Sequence, residues 1–219
     1  MLKVAAIISG SGWLLNALIE GCNKGNIDAE IALIISNENN ELAIERVKQA
    51  GRSMLIINHE DYPDRETFDR KLHLVLQEYG IEFICLADFN RLLSPWFVEQ
   101  WWNRVINCHP SLLPAFKGMR TCSRMLRAGV KFAGCTVHFV RTPMDAGPII
   151  IQAVIPILPE DTPATLRVRI KGVEKGCFVQ ALQWIALNGV KVVDECVLVD
   201  GTEVPSEVLL SPGKKSTEN

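Results

Sequence analysis

Short, uninterrupted apolar runs rich in Val and Ile alternate along this chain with longer segments whose apolar residues recur at helical spacing. Few folds accept that alternation. Residues 2–9 (LKVAAIIS), 30–36 (EIALIIS), 53–58 (SMLIIN), 82–87 (EFICLA) and 104–109 (RVINCH) read as strands. Between them, residues 13–22, 41–51 and 65–80 read as helices, and in the last Phe68, Leu72, Val75, Leu76 and Tyr79 share one face. A short helix at PWFVEQWW separates the fourth and fifth strands. Strands that are apolar on both sides need cover on both sides, which predicts a parallel sheet between helices.

The second half changes character. Residues 135–140 (CTVHFV) and 148–157 (PIIIQAVIPI) flank a turn containing Pro143 and Gly147, the pattern of an antiparallel pair. A D-T-P start signal opens a helix predicted over 162–187, residues 191–201 read as a closing hairpin, and 211–219 as a frayed tail. The expected fold class is α/β: one doubly wound, mostly parallel sheet with helices on both faces and an antiparallel C-terminal extension. A single domain over 1–219 is expected, since no linker or repeat interrupts it.

Apolar residues at 48% supply a sizeable core, and 23 Lys+Arg against 25 Asp+Glu leave a net charge of −2, which favours neither nucleic acid nor an anionic membrane as partner. Seven cysteines form no C-x-x-C pair, so reduced thiols fit better than a disulfide framework or a zinc site. The apolar N-terminal run is broken by Ser-Gly-Ser-Gly where a secretion signal is continuous. No uncharged run reaches the ~18 residues of a membrane span. The expected location is the cytoplasm.

Three segments carry chemistry. Ser9-Gly10-Ser11-Gly12 joins a strand to a helix, where glycines let the backbone approach a ligand and free N–H groups attract phosphate. A tight turn that needs small residues would look the same. The run Asn107-Cys108-His109-Pro110-Ser111-Leu112-Leu113-Pro114 ends a parallel strand, and alternation turns Asn107 and His109 to one side and Cys108 to the other. An amide beside an imidazole can stabilise an oxyanion and carry a proton, although both could equally be a loop cap and a buried histidine. Asp145, in the turn Pro143–Pro148, could orient a histidine or simply close an Asx turn.

Read together, ISGSG at 8–12, INCHPSLLPAFKG at 106–118 and GCTVHFVRTPMDAGPII at 134–150 resemble the phosphoribosylglycinamide formyltransferases, folate-dependent enzymes of purine synthesis. The resemblance takes in LLSPWFVEQW at 92–101 and the closing helix. It implies formyl transfer from 10-formyltetrahydrofolate, as co-substrate and without a metal, to the amine of phosphoribosylglycinamide. Asn107, His109 and Asp145 match the catalytic trio, with Asn107 and His109 on the oxyanion and Asp145 holding the proton on His109. Gly10, Gly12, Trp13, Leu14, Pro110 and Glu174 fall at ribotide-binding positions. Arg65, Asn90, Arg91, Leu92, Leu93 and Asn107 fall at folate-binding ones. The resemblance also divides the domain into a nucleotide-binding half (1–109) and a folate and catalytic half (110–200). It implies small-molecule partners and a monomer or homodimer.

The chain departs from that pattern in places. Trp13-Leu14 replaces Ser-Asn after the glycine turn, removing two polar phosphate ligands. Asp88-Phe89-Asn90-Arg91 replaces Gly-Phe-Met-Arg, placing a carboxylate and an amide near an apolar pteridine pocket. Thr121-Cys122 replaces Thr-His, and Val173-Glu174-Lys175 replaces Gln-Glu-His. Alternatives are therefore a formyl-folate hydrolase, another formyltransferase, or a weakened folate- and phosphate-binding homologue. Elsewhere, Trp101 and Trp102 read as core residues, His59 and His73 as solvated, and His138 as a core histidine on a strand with Thr136 and Val140.

Overall fold

The computed structural model describes residues 1–199. Its seven-stranded sheet has the order β3-β2-β1-β4-β5-β6-β7. In chain order the elements are β1 (Leu2–Ile8), α1 (Trp13–Asn23), β2 (Ala29–Ser36), α2 (Glu41–Gln49), β3 (Leu55–Ile56), α3 (Arg65–Glu78), β4 (Phe83–Leu86) and α4 (Pro95–Gln100). They continue with β5 (Val105–His109), α5 (Thr121–Ala128), β6 (Phe132–Phe139), β7 (Ile149–Pro156), α6 (Pro163–Ala186), β8 (Val190–Val193) and β9 (Cys196–Val199). The strands from β3 to β5 pair in parallel, while β6 and β7 join antiparallel. The hairpin β8–β9 forms a separate two-stranded sheet, and the tail at 211–219 lies outside the described residues.

The strand pattern explains the two layers. On β1, Val4, Ala6 and Ile8 enter one core with α1, α2 and α6, while Ala5 and Ile7 enter the other with α3 and α4. Both sides are fully buried, as a run of apolar residues on a central parallel strand requires. The expected strand at 53–58 shrinks to Leu55–Ile56, because it lies at the sheet edge with β2 as its one neighbour and both side chains exposed. Helix α5 has no counterpart in the sequence reading; Thr121, Cys122 and Met125 share its buried face at helical spacing, but its eight residues are shorter than the window in which such a pattern is read.

Helix α6 starts with a capping box between Thr162 and Thr165, with Pro163 at its first turn. Its buried stripe runs Leu166, Ile170, Glu174, Cys177, Phe178, Ala181 and Leu182. A carboxylate in the middle of that apolar stripe is a signal in itself.

Between β1 and β4 the chain direction across the sheet reverses. Open α/β sheets bind ligands in the crevice at such a point, beyond the carboxyl ends of the strands. The loops there are tied together: Ser9 N donates to Asp88 O at 3.0 Å, and Asn90 N donates to Ser9 Oγ at 3.1 Å. Ser9 Oγ in turn donates to Asn37 Oδ1 at 2.6 Å.

Candidate active site

Asn107 and His109 stand two residues apart on β5, and the neighbouring β6 sets His138 opposite Asn107 and Thr136 opposite His109. The loop that follows β5 is fixed by a buried network. Thr136 Oγ1 donates to Ser111 O at 2.7 Å and accepts from Leu113 N at 3.0 Å, and Gln152 Nε2 donates to both Thr136 Oγ1 and Leu113 O. Buried polar groups that are fully paired hold one geometry. Half-buried Pro110 follows His109 at the start of this loop.

The loop returns the main chain to the histidine. His109 Nε2 lies 3.0 Å from Phe116 O, which can only accept, so Nε2 donates. His109 Nδ1 lies 3.4 Å from Asp145 Oδ2, and both side chains are over nine-tenths buried. Asp145 occupies the left-handed region at φ 51°, a conformation that Asp tolerates better than most residues. Gly118 N anchors it by donating to Oδ2 at 2.8 Å. Gly118, at φ 77°, is where a side chain would be strained and would crowd Met144.

His138 belongs to the same cluster. It is buried, as the sequence suggests, but its Nε2 lies 3.9 Å from Asp145 Oδ1 and 3.5 Å from Asn107 Nδ2. Nδ1 donates to Phe139 O at 2.9 Å, so in the neutral ring Nε2 is the acceptor that faces the Asn107 amide. Burial pushes the His138 pKa down, against the opposing pull of the Phe139 carbonyl and Asp145. The Cys108 thiol turns the other way, toward Cys135. Half-buried Asn107 and the buried side chains of His109 and Asp145 thus lie in one cluster, with His138 between Asn107 and Asp145.

The glycine loop forms the adjacent wall. Gly10 and Gly12 have φ of 64° and 60°, which glycine adopts without strain. Gly10 N donates to Glu38 Oε1 at 2.6 Å, and Arg46 donates to Ser11 O. Leu14 needs correction as a ribotide contact. Its side chain is 2% exposed and lies in the core beneath α1, so it offers the loop only its main-chain N–H in the first turn of the helix. Trp13 neither fills nor leaves the loop; its indole packs against α6 with Lys171 Nζ and Lys175 Nζ 5.2 and 4.8 Å from the ring centre. Trp13 Nε1 is buried without a partner among the described residues.

On α6, Glu174 is 2% exposed. Arg167 Nη1 donates to its Oε2 at 2.8 Å, while Oε1 is buried with no partner among the described residues. Burial pushes the Glu174 pKa up, and Arg167 opposes the rise. Burial pushes the Asp88 pKa up, and the nearby charges of Arg167 and Lys171 oppose the rise.

The remaining predicted residues lie around α3 and the loop after β4, the loop whose Asn90 N is tied to Ser9. Buried Asp69 accepts from Ser94 N at 2.5 Å, and its charge is felt by both Arg65 and Arg91. Burial nevertheless pushes the Asp69 pKa up. Asp69 Oδ1 and Arg91 Nε are buried without partners among the described residues, an acceptor and a donor left open. Arg91 lies 5.7 Å from the Phe68 ring centre, Leu93 is buried, and Asn90 and Leu92 are exposed. Arg65 lines an open cleft of about 490 Å³ with Asp64, Thr67, Arg70 and Ser94. Asp69 was not singled out from sequence; its place among Phe68, Leu72, Val75 and Leu76 on the buried face of α3 is the signal that could have found it.

Two other histidines are more engaged than expected. His59 Nδ1 lies 2.8 Å from Asn37 O, and His73 Nδ1 accepts from Trp101 Nε1 at 3.1 Å. Trp101 is core, but Trp102 is half exposed with Arg141 3.7 Å from its ring centre. Among the described residues no group of three or more His, Cys, Asp or Glu is arranged to hold a metal, and no helix is long and apolar enough to cross a membrane.

Comparison with known proteins agrees with this geometry. A family described as Formyl transferase matches residues 2–182. The chain is 44% identical over 190 residues to the trifunctional purine biosynthetic protein adenosine-3 of Gallus gallus, covering 87% of this chain and 19% of that protein. It thus spans about a fifth of that relative. It is 32% identical to the phosphoribosylglycinamide formyltransferase of Haemophilus influenzae, covering 94% of this chain and 97% of the relative. The crystal structure of glycinamide ribonucleotide transformylase 1 from Symbiobacterium toebii superposes with a TM-score of 0.88 at 39% identity, over 91% of this chain and 94% of that one.

Proposed function

Because the chain belongs to the formyl transferase family, we propose that it transfers a formyl group from 10-formyltetrahydrofolate to the amine of phosphoribosylglycinamide in purine synthesis. The observation that carries this reading is the convergence of Asn107, His109 and Asp145 on one buried point at the end of β5. Acyl transfer to an amine passes through a tetrahedral centre bearing negative charge on oxygen, and donors placed at that oxygen lower the barrier.

Asn107 Nδ2 supplies one such donor, and its other contact is the acceptor nitrogen of His138. His109 supplies the second. Its Nε2 proton is engaged by Phe116 O, so the histidine exchanges that carbonyl for the reacting oxygen. The Asp145 carboxylate stabilises the charged ring. No covalent intermediate is required. The open atoms Asp69 Oδ1 and Arg91 Nε, with Arg65 at the cleft rim, suit a folate, which offers donors and acceptors on its ring and carboxylates on its tail. Glu174 Oε1 suits a ribose hydroxyl. A cytoplasmic location, with all seven thiols free, and a monomeric or homodimeric state belong to the same proposal.

One observation favours a second reading, a homologue that binds both ligands but turns over weakly: Glu38 already occupies the Gly10 N–H. A spectrophotometric assay of folate deformylation, run with and without the ribotide, separates the readings. Ribotide-dependent product formation supports transfer. Deformylation without ribotide indicates a hydrolase, and binding of both ligands without product indicates the weakened homologue.

A further inference from the structure

The turn between β6 and β7 carries Asp145 along the whole of a neighbouring strand. Val140 N donates to Val105 O at 2.9 Å, so the turn leaves the sheet beside the first residue of β5. Asp145 nevertheless meets His109, the last residue of that strand. The path from Val105 to His109 covers about 13 Å of extended chain. Thr142, Pro143, Met144 and Ala146 are exposed along the way. A segment that reaches so far over the surface holds a carboxylate in place only where its ends are fixed.

Arg141, the first residue of the turn, is more than nine-tenths buried. Its guanidinium engages three separate segments. Nη1 donates to Val140 O at 3.1 Å, and Nη2 donates to Asn103 Oδ1 at 2.6 Å in the loop between α4 and β5. Nε donates to Glu195 Oε2 at 2.9 Å in the turn between β8 and β9, and Nη2 reaches Glu195 Oε1 at 3.3 Å. The Trp102 ring covers the same group, its centre 3.7 Å away. The stem of Arg141 meets the other arm of the turn, because a Cβ at Gly147 would fall 3.1 Å from Arg141 Cγ. Glu195 is more than half exposed, so its ion pair adds little to global stability. A planar guanidinium matched by acceptors on several sides instead fixes a direction.

We infer that Arg141 is a positioning residue for Asp145: it ties both arms of the turn to the α4–β5 loop and to the β8–β9 hairpin, and so holds the carboxylate at His109. Its catalytic consequence rests on the formyl-transfer reading. The hairpin, a separate small sheet, becomes part of the scaffold of the site through one side chain.

A kinetic cycle with Asp145→Asn tests the role. Arg141→Gln should lower kcat about tenfold in the parent, since small displacements of a positioned group are costly. In the Asp145→Asn background the same change should cost less than about twofold, because a residue that acts through Asp145 has nothing left to position. Arg141→Lys keeps the charge without the planar fork and should not restore the rate. Equal losses in the two backgrounds overturn the inference. A second readout needs no turnover: the Gly118 amide donates to Asp145 Oδ2, so its hydrogen exchange, followed by NMR, reports where the carboxylate sits. That exchange should quicken in Arg141→Gln while amides of β1 stay protected. Glu195→Gln, on the exposed side of the clamp, should quicken it by about twofold, and covers the case in which Arg141→Gln does not fold. Unchanged Gly118 exchange in the folded variants overturns the clamp and leaves the formyl-transfer reading standing. Absence of product with the unmodified protein overturns that reading, and the exchange comparison then still decides whether Arg141 holds Asp145.

Discussion

His109 Nδ1 lies 3.4 Å from Asp145 Oδ2, while the other ring nitrogen of His109 faces the Phe116 carbonyl at 3.0 Å. Both nitrogens meet acceptors, so the surroundings complement the doubly protonated ring, which donates from each. A charged imidazole is what an oxyanion-forming reaction can use as a donor and proton source.

Replacing His109 or Asn107 by alanine should cut kcat about 100- to 1000-fold, the usual effect of removing one donor from an oxyanion site. Because the two act on one oxygen, the double variant should lose much less than the product of the single losses. Steady-state kinetics check this, and either single variant with activity within a few-fold of the parent would sink the assignment.

Asp145→Asn keeps the size of the side chain and an acceptor for Gly118 N, but removes the charge facing His109. The expected result is a fall in kcat of about tenfold or more with little change in KM for either substrate, since the loss falls on transition-state charge. A change confined to KM would instead make Asp145 a residue that merely shapes the turn.

His138 should make the protein acid-sensitive. Its folded pKa lies below the ordinary value of about 6.5, so below that pH the unfolded chain takes up a proton that the native state resists. Stability is unaffected by this group above about pH 6.5 and is lost as pH falls toward the depressed folded value. The groups facing His138 are Asp145, His109 and Lys117, and they remain in the variant His138→Gln. Urea unfolding at pH 7.5 and pH 5.5 should show a smaller acid loss for the variant than for the parent, and identical losses would refute the assignment.

Leu14→Asn and Trp13→Ser should part company in stability. Leu14 is almost fully buried in the core below α1, so an amide there costs about 3–5 kcal/mol from lost apolar burial and an unpaired polar group. Trp13 is half-buried, packing on the core at one edge and under two lysines at the other, and its loss should cost less. Chemical denaturation of the two single variants gives the comparison, and equal losses would place Leu14 outside the core.

Much of this molecule is written in local pattern. Continuous apolar runs and helical spacing determined the strands, the helices and the doubly wound sheet, because periods of two and 3.6 act between near neighbours in the chain. The segment Asn107–Pro114 and the alternation along β5 likewise determined that Asn107 and His109 share a side and Cys108 does not. Tertiary structure decided the rest. Sequence left Asp145 as either a turn residue or a partner for a histidine; only the return of the Arg141–Gly147 turn over the end of β5 brought it against His109. The same holds for the Leu14 side chain in the core, for His138 between Asn107 and Asp145, and for two lysines of α6 over the indole of α1. Each of these depends on how distant elements pack, and at a single position local propensity is identical whether the side chain meets solvent, core or substrate. Buried charge is the exception that sequence could have shown: Asp69 and Glu174 each interrupt an apolar helical stripe, and a carboxylate persists there only where the fold gives it a partner or a ligand.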